Sequence, residues 1–445
     1  MARSYATPLP WYRALNRNQW NALIGSNLGW VFDGYETYAL ILTVGVALRQ
    51  LLDPALMPSL PLYAGTLIGV TLLGWGIGGM IGGILADYLG RKRTMILAIL
   101  AYALTTGLSA LSWDWVSFLF LRFIVGIAIG SEWVTGASIT AELWPDRARG
   151  KGVGLMQCGL GIGFFLAALV WLYVGGLGPG AWRIMFLIGI LPALLTLWIR
   201  RSIPESALWE RTSAQRSAAA DRIRTGAPPD PYDAALTRFT LFELFAAPEV
   251  RRRTILAFLV SLATTVGFWG ISTWVPPYIA SVAAMNGLPA APWASYAGMS
   301  YNFGAVCGYV AFGFLADALG RKPVLLGYLA GALIVTPVQF LWTHEPGALL
   351  LVAFFTGAFA TGQYTWMSAW LPELFPTRMR ATGAGFVFNA PRFIAWLGPL
   401  VSGILITRFG GYGNSAMIVG SIYILGLLVV PLLPETRGRP LPERV

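Results

Sequence analysis

Apolar residues in this chain fall into long runs, and most polar residues are confined to the gaps between them. The runs recur at a length of roughly 20 residues, enough to cross the hydrocarbon core of a bilayer. Six lie in the first half: Ala22 to Ala47, Tyr63 to Leu85, Thr94 to Leu111, Trp115 to Ala141, Val153 to Val174 and Trp182 to Trp198. Six more follow a polar stretch: Thr254 to Ala284, Trp293 to Leu315, Val324 to Trp342, Ala348 to Leu371, Ala381 to Ile406 and Ala416 to Leu433. The pattern predicts an all-α membrane protein with twelve transmembrane helices.

Composition agrees with this reading. Hydrophobic residues make up 56% of the 445 and charged residues 11%, against about a quarter charged in a typical soluble domain. The net charge of +11 would suit a nucleic-acid partner if it formed one patch. Instead, twelve spans place 26 of the 31 Lys and Arg residues in the gaps on one side, which also holds both termini. The gaps on the other side hold only Arg49, Arg183 and Arg408. This positive-inside asymmetry predicts that the basic side and both termini face the cytoplasm. It accounts for the charge through a lipid bilayer, with no nucleic acid. Cys158 and Cys307 both fall inside spans, and His344 stands alone in a short loop, so neither a disulfide framework nor a metal cluster is indicated. No apolar core with a small-residue cleavage site is seen before Trp20, so a cleaved leader is not expected and the first helix is expected to serve as its own insertion signal.

The chain repeats itself. Gly83-Ile84-Leu85-Ala86-Asp87-Tyr88-Leu89-Gly90-Arg91-Lys92 recurs 230 residues later, from Gly313 to Lys322, with eight of ten positions identical. Glu142 to Arg149 recurs at an offset of 231 as Glu373 to Arg380, and Pro204-Glu205-Ser206 recurs as Pro434-Glu435-Thr436. Three pairs in register predict two pseudo-symmetric six-helix bundles, an N-terminal half over 1–201 and a C-terminal half over 254–445. Between them lies a cytoplasmic linker over 202–253, read as a tether. Its stretch Leu236 to Phe245 could lie on the membrane surface as an amphipathic helix, with Arg251, Arg252 and Arg253 next to anionic lipid.

With these loops the chain resembles the major facilitator superfamily over essentially its whole length, through the G-x-L-A-D-x-x-G-R-K signature between its second and third helices. Arg122 to Gly130, Glu142, Arg149 and the Pro-Glu-Ser/Thr endings resemble the sugar-porter and organic-acid-porter branches. The resemblance implies a latch at Asp87 and Arg91 that holds the two halves together and breaks as the protein rocks, with Asp317 and Arg321 as its partner. It also implies that the working unit is a monomer. Gly74-x-Gly76-x-x-Gly79 matches a dinucleotide-binding pattern, but inside a span small residues serve close helix packing instead.

Charged groups within spans are costly, by about 2.5 to 3.5 kcal/mol on insertion scales, and so are functional candidates. Asp33, Glu36, Arg122, Glu132 and Arg392 stand out, and they break the repeat: Glu132 maps onto Gln363, and the seventh helix carries no acid opposite Asp33 and Glu36. Asp33 and Glu36, three residues apart, share a helix face. Two acids together in low dielectric repel, so one of them is expected to hold a proton; arginine salt bridges are the rival reading. The segment Asp33-Gly34-Tyr35-Glu36 resembles the D-G-x-D motif of aromatic-acid:proton symporters, with Glu in the last place. Gly130-Ser131-Glu132-Trp133 resembles a segment of metabolite and sialate symporters, which makes Glu132 a second proton-carrier candidate. Arg122 matches a position of proton-coupled family members and is expected to tune an acid on the first helix.

Arg392 sits near mid-membrane beside Pro391, and its fork suits a carboxylate; a structural ion pair with Asp33, Glu36 or Glu132 is the alternative. Tyr35, Gln157, Asn302, Gln363, Tyr364 and Asn389 are polar candidates for a cavity wall, while Trp269 and Trp366 could stack on a ring. The expectation is therefore a bacterial inner-membrane, proton-coupled symporter of a small, anionic, aromatic or hydroxylated organic acid, with no cofactor beyond the coupling proton. A sugar or polyol symporter is the main alternative; Gln157, Gln363 and Asn389 would then bind hydroxyls. A drug-efflux antiporter and a non-transporting sensor are weaker ones. No metal cluster or nucleophile–base pair suggests an enzyme.

Overall fold

A computed structural model describes residues 10–226, 228, 231–272, 274–397 and 412–443. Among these residues nine helices are long and apolar enough to cross a membrane. The first four predicted spans are α1 (Arg17–Leu51), α2 (Leu60–Leu89), α3 (Arg91–Ser109) and α4 (Trp115–Leu143). The fifth is α5 (Arg149–Gln157) with α6 (Gly159–Val174), and the sixth is α7 (Ala181–Ile188) with α8 (Pro192–Ser202). Between the halves run α9 (Ala207–Arg224), α10 (Pro231–Thr237) and α11 (Thr240–Ala246). The seventh span is α12 (Pro248–Ser272) with α13 (Val275–Met285), the eighth α14 (Ala290–Leu319) and the ninth α15 (Arg321–Pro337). The tenth comprises α16 (Pro346–Thr356) and α17 (Thr365–Leu374), joined by irregular turns over 357–364. The eleventh begins as α18 (Arg380–Asn389) and α19 (Arg392–Ala395); its predicted end, through Ile406, lies outside the described residues, as does Arg408. The twelfth is α20 (Tyr412–Gly420) with α21 (Ile422–Val429).

Sequence explains the ends and contacts of these helices. Capping boxes start α1 at Asn16 with Gln19 and α4 at Asp114 with Ser117. Gly90 and Gly320 close α2 and α14 at φ 104° and 111°, a conformation open to glycine, and this is why the repeated loop carries glycine before Arg-Lys. Glu205 and Glu435, from the Pro-Glu-Ser/Thr endings, accept from the first free backbone N–H groups of α3 and α15. The apparent dinucleotide motif is indeed a packing stripe: Gly74 lies against Phe123 of α4, and Gly76 and Gly79 lie against Arg392 and Asn389.

The bundles meet through two mirrored close contacts. α2 packs on α18, where an added Cβ at Gly83 would strike Ala381, and α14 packs on α5, where Gly313 meets Gly150 and Gly154. Both contacts lie toward the end that carries the Arg-rich gaps, here the basic end. The linker differs from the tether that its composition suggests. Ala-rich α9 is an 18-residue helix capped by Ser206. The stretch 236–245 is two short helices broken at Arg238 and Phe239, with Leu236, Glu243 and Leu244 buried against the bundle.

Candidate functional site

Midway along the bundles lies a cavity with Arg392 in its wall. Trp30 of α1, Trp75 of α2, Phe268 and Trp269 of α12, Tyr364 and Phe388 surround it. Arg392 is positioned by the break at Asn389–Pro391: its Nη1 donates to Phe388 O at 2.6 Å and to Asn389 Oδ1 at 3.2 Å. Its guanidinium lies over Phe388 and Trp75, 4.2 Å and 4.9 Å from the ring centroids. Nε has no hydrogen-bond partner, and no carboxylate among the described residues lies within 4 Å of this arginine. An anion is what this environment lacks.

A second lobe shares Thr37, Trp75 and Trp269 with the first. Its charged wall is the ion pair of Glu36 with Arg122, and Arg122 also donates to Ser109 Oγ at 2.7 Å and stacks on Phe186. Asp33, one turn away, faces Glu132 of α4. Both carboxyls are fully buried, and none of their four oxygens has a hydrogen-bond donor. Glu132 is pressed against α1 where that helix has Gly29, so a side chain there would collide with its carboxylate. The five intramembrane charges therefore separate into an ion pair, an acid pair without a cation, and a single arginine. Asp33 and Glu36 remain neighbours on one face of α1, as their spacing predicts, and each also meets a group on α4: Glu36 the Arg122 expected beside an acid of the first helix, Asp33 the carboxyl of Glu132.

The uncharged candidates divide as well. Tyr364 and Trp269 line the Arg392 lobe, and Asn389 orients Arg392 while donating to Gly385 O. Tyr35 is tied to Met185 O, Gln157 accepts from Trp133 Nε1, and Trp366 donates to Thr264. Gln363 bonds Ala360 O and Thr264. Asn302, half-buried, is absent from either lobe's lining. The aromatic wall of Trp30, Trp75, Phe268 and Phe388 was missed by reading charges alone. The repeat offered a signal, since Trp75 falls on Ala305 at the 230-residue offset.

At the basic end, Asp87 accepts from Ala381 N at 3.3 Å and Thr382 N at 2.8 Å, the first turn of α18, and pairs with Arg91 at 3.0 Å. Arg91 reaches Glu142 and Thr377 O, and Glu142 bridges to Arg380. The other half mirrors this. Asp317 accepts from Gly150 N and Lys151 N, both at 3.0 Å, and pairs with Arg321, while Glu373 binds both Arg321 and Arg149. All four predicted latch residues thus lie in contacts that cross between the bundles or brace the residues that do.

Two helical bundles that enclose a cavity at mid-membrane depth and meet at one end through mirrored charge clusters define a membrane transporter. The family model described as sugar (and other) transporter matches residues 33–444, and the chain belongs to that family. A putative metabolite transport protein of Haemophilus influenzae is 30% identical over 437 residues, covering 96% of this chain and 99% of the relative. A sialic acid transporter of Escherichia coli is 27% identical, covering 98% and 97%. Among solved structures, a proton:xylose symporter of the major facilitator superfamily, bound to 6-bromo-6-deoxy-D-glucose, superposes with a TM-score of 0.74 at 22% identity over 95% of this chain and 98% of that one. The fold is that of the major facilitator superfamily, and the protein is a multi-pass transporter, not an enzyme.

Proposed function

We propose that the protein is a proton-coupled symporter that carries a small organic acid by alternating access. The observation that carries this reading is Arg392: a buried guanidinium in an aromatic cavity with no carboxylate of its own among the described residues. Such a group suits a bidentate grip on a substrate carboxylate. The second support is the acid pair. Asp33 and Glu132 face each other without a cation, an arrangement that favours one proton held between them. A relative named for sialic acid fits an anionic cargo.

In the proposed cycle, proton and substrate together neutralise the core. Protonation relieves the repulsion of the acid pair, the substrate carboxylate compensates Arg392, and the filled protein then rocks about its centre. With the proton alone Arg392 stays uncompensated, which disfavours the swing. The mirrored latches at Asp87–Arg91 and Asp317–Arg321 hold the basic end shut and break when it opens. We place this end and both termini in the cytoplasm of a bacterial inner membrane, with a monomer as the working unit. The sugar reading loses support because Gln157, Gln363 and Asn389, which would bind hydroxyls, line neither lobe, and Gln363 and Asn389 are already bonded within the frame.

The test is uptake of a labelled carboxylate panel into proteoliposomes with an imposed inward proton gradient. Gradient-driven uptake of one acid is expected, lost in both Asp33→Asn and Arg392→Ala. Uptake indifferent to Arg392→Ala would end the carboxylate reading.

A further inference from the structure

The polar groups around Arg392 have an unusual bias: they are donors. Trp30 Nε1, Trp75 Nε1 and Arg392 Nε are buried without hydrogen-bond partners, and all three residues line the same lobe. An indole N–H and a guanidinium N–H donate only. The Tyr364 hydroxyl is also without a partner. The lining holds no Asp, Glu, Asn or Gln, so the only side-chain acceptors in it are hydroxyls, each of which has a proton of its own to place. The remaining surface consists of ring faces, with the Trp133 and Phe388 rings stacked at 3.5 Å just behind it.

From this chemistry we infer that the cargo is a flat, unsaturated carboxylate whose other polar atoms only accept hydrogen bonds, such as a ring nitrogen, a carbonyl or a lactone oxygen. This rests on the carboxylate reading of Arg392 and sharpens it. The carboxylate takes the free side of the fork, the flat face lies against the indoles, and an acceptor at the far edge meets Trp30 or Trp75. A hydroxyl at that edge adds a donor to a lobe whose side-chain acceptors are three hydroxyls with protons of their own, a cost of about tenfold in affinity. A saturated ring is too thick for the same fit and forfeits the stacking. A polyhydroxylated acid meets both penalties.

The experiment is calorimetric binding to the purified full-length protein, with no flux required. The probes are nicotinate, benzoate, 3-hydroxybenzoate, cyclohexanecarboxylate and N-acetylneuraminate. Nicotinate is expected to bind tightest, with 3-hydroxybenzoate and cyclohexanecarboxylate each weaker by about tenfold. Trp75→Phe, which keeps a ring and removes a donor, should narrow the gap between nicotinate and benzoate. The wild-type ranking alone decides the matter should that variant fail to fold. Equal or tighter binding of 3-hydroxybenzoate, cyclohexanecarboxylate or N-acetylneuraminate overturns the inference and leaves the carboxylate reading standing. Binding of none of the acids overturns both.

Discussion

Asp33 and Glu132 in the first bundle occupy the places that Thr264 and Gln363 hold in the second, at the 231-residue offset of the repeat. Both pairs join the first helix of their half to the fourth, and both are fully buried. The Thr264–Gln363 pair is satisfied: Thr264 donates to Gln363 at 3.3 Å and accepts from Trp366 at 3.0 Å, and Gln363 donates to Ala360 O. The Asp33–Glu132 pair has no donor at all. One fold position thus carries a finished structural bond in one half and an unfinished acid pair in the other. Since the scaffold can plainly be closed by neutral groups, the acids are there for something the scaffold does not need.

Converting the first bundle to the pattern of the second tests this most severely. Asp33→Thr with Glu132→Gln should reduce gradient-driven uptake to background while leaving the thermal midpoint unchanged or raised, because two buried unsatisfied acids give way to a bonded pair. Persistent uphill uptake would remove the acid pair from the coupling step. The latches, where the halves agree, should respond alike. Asp87→Ala and Asp317→Ala each delete two backbone N–H acceptor sites and an arginine partner, for a loss of about 2–3 kcal/mol apiece in unfolding free energy. A much larger loss from one of them would show that the mirrored clusters are not energetic equivalents.

The smallest effect is at the capping glutamates. Partial burial of Glu435 favours its neutral form, but the backbone N–H groups of Lys322, Arg321, Arg437 and Thr436 outweigh this and hold its carboxyl below the usual range. Its contribution is therefore complete above the unfolded value near about 4.3 and fades as pH falls through the lower folded value. Half-exposed, it is screened, so Glu435→Gln should cost about 0.5 kcal/mol at neutral pH, and denaturant curves at acid pH should show no difference.

Much of this was legible in the chain because a membrane enforces long apolar runs, and because duplication wrote the latch twice. The nine clear spans follow from length and hydropathy. Of the other three, α3 opens on Arg91-Lys92-Arg93, the sixth contributes the shorter apolar stretch Ala181–Leu195, and the end of the eleventh lies outside the described residues. Intramembrane charge drew attention to Arg392, Asp33 and Glu132, but helix spacing could not say what each meets across the helix interfaces. It put Asp33 beside Glu36 and left open which of the two Arg122 would meet; the ion pair across the helix interface is with Glu36. Amides misled for a similar reason. Gln157 and Gln363 look like cavity residues in the sequence, and it takes the structure to show that they line neither lobe and bond Trp133 and Thr264. Linker helix α9 was invisible to a search for apolar periodicity, since Ala and Arg form helices without marking a face.

That helix carries, near its middle, an attachment whose consequence reaches the whole proposed cycle. Arg216 of α9 donates to Asp87 O, on the first bundle, and to Arg378 O, on the second, each at 2.9 Å. A connector that merely joined two moving bodies would add nothing to the height of the pass between their arrangements. One that is fastened to both must let go of at least one before they part. In the proposed cycle the tempo of exchange would then depend partly on a linker segment outside both lobes, where turnover could be retuned while selectivity is left untouched.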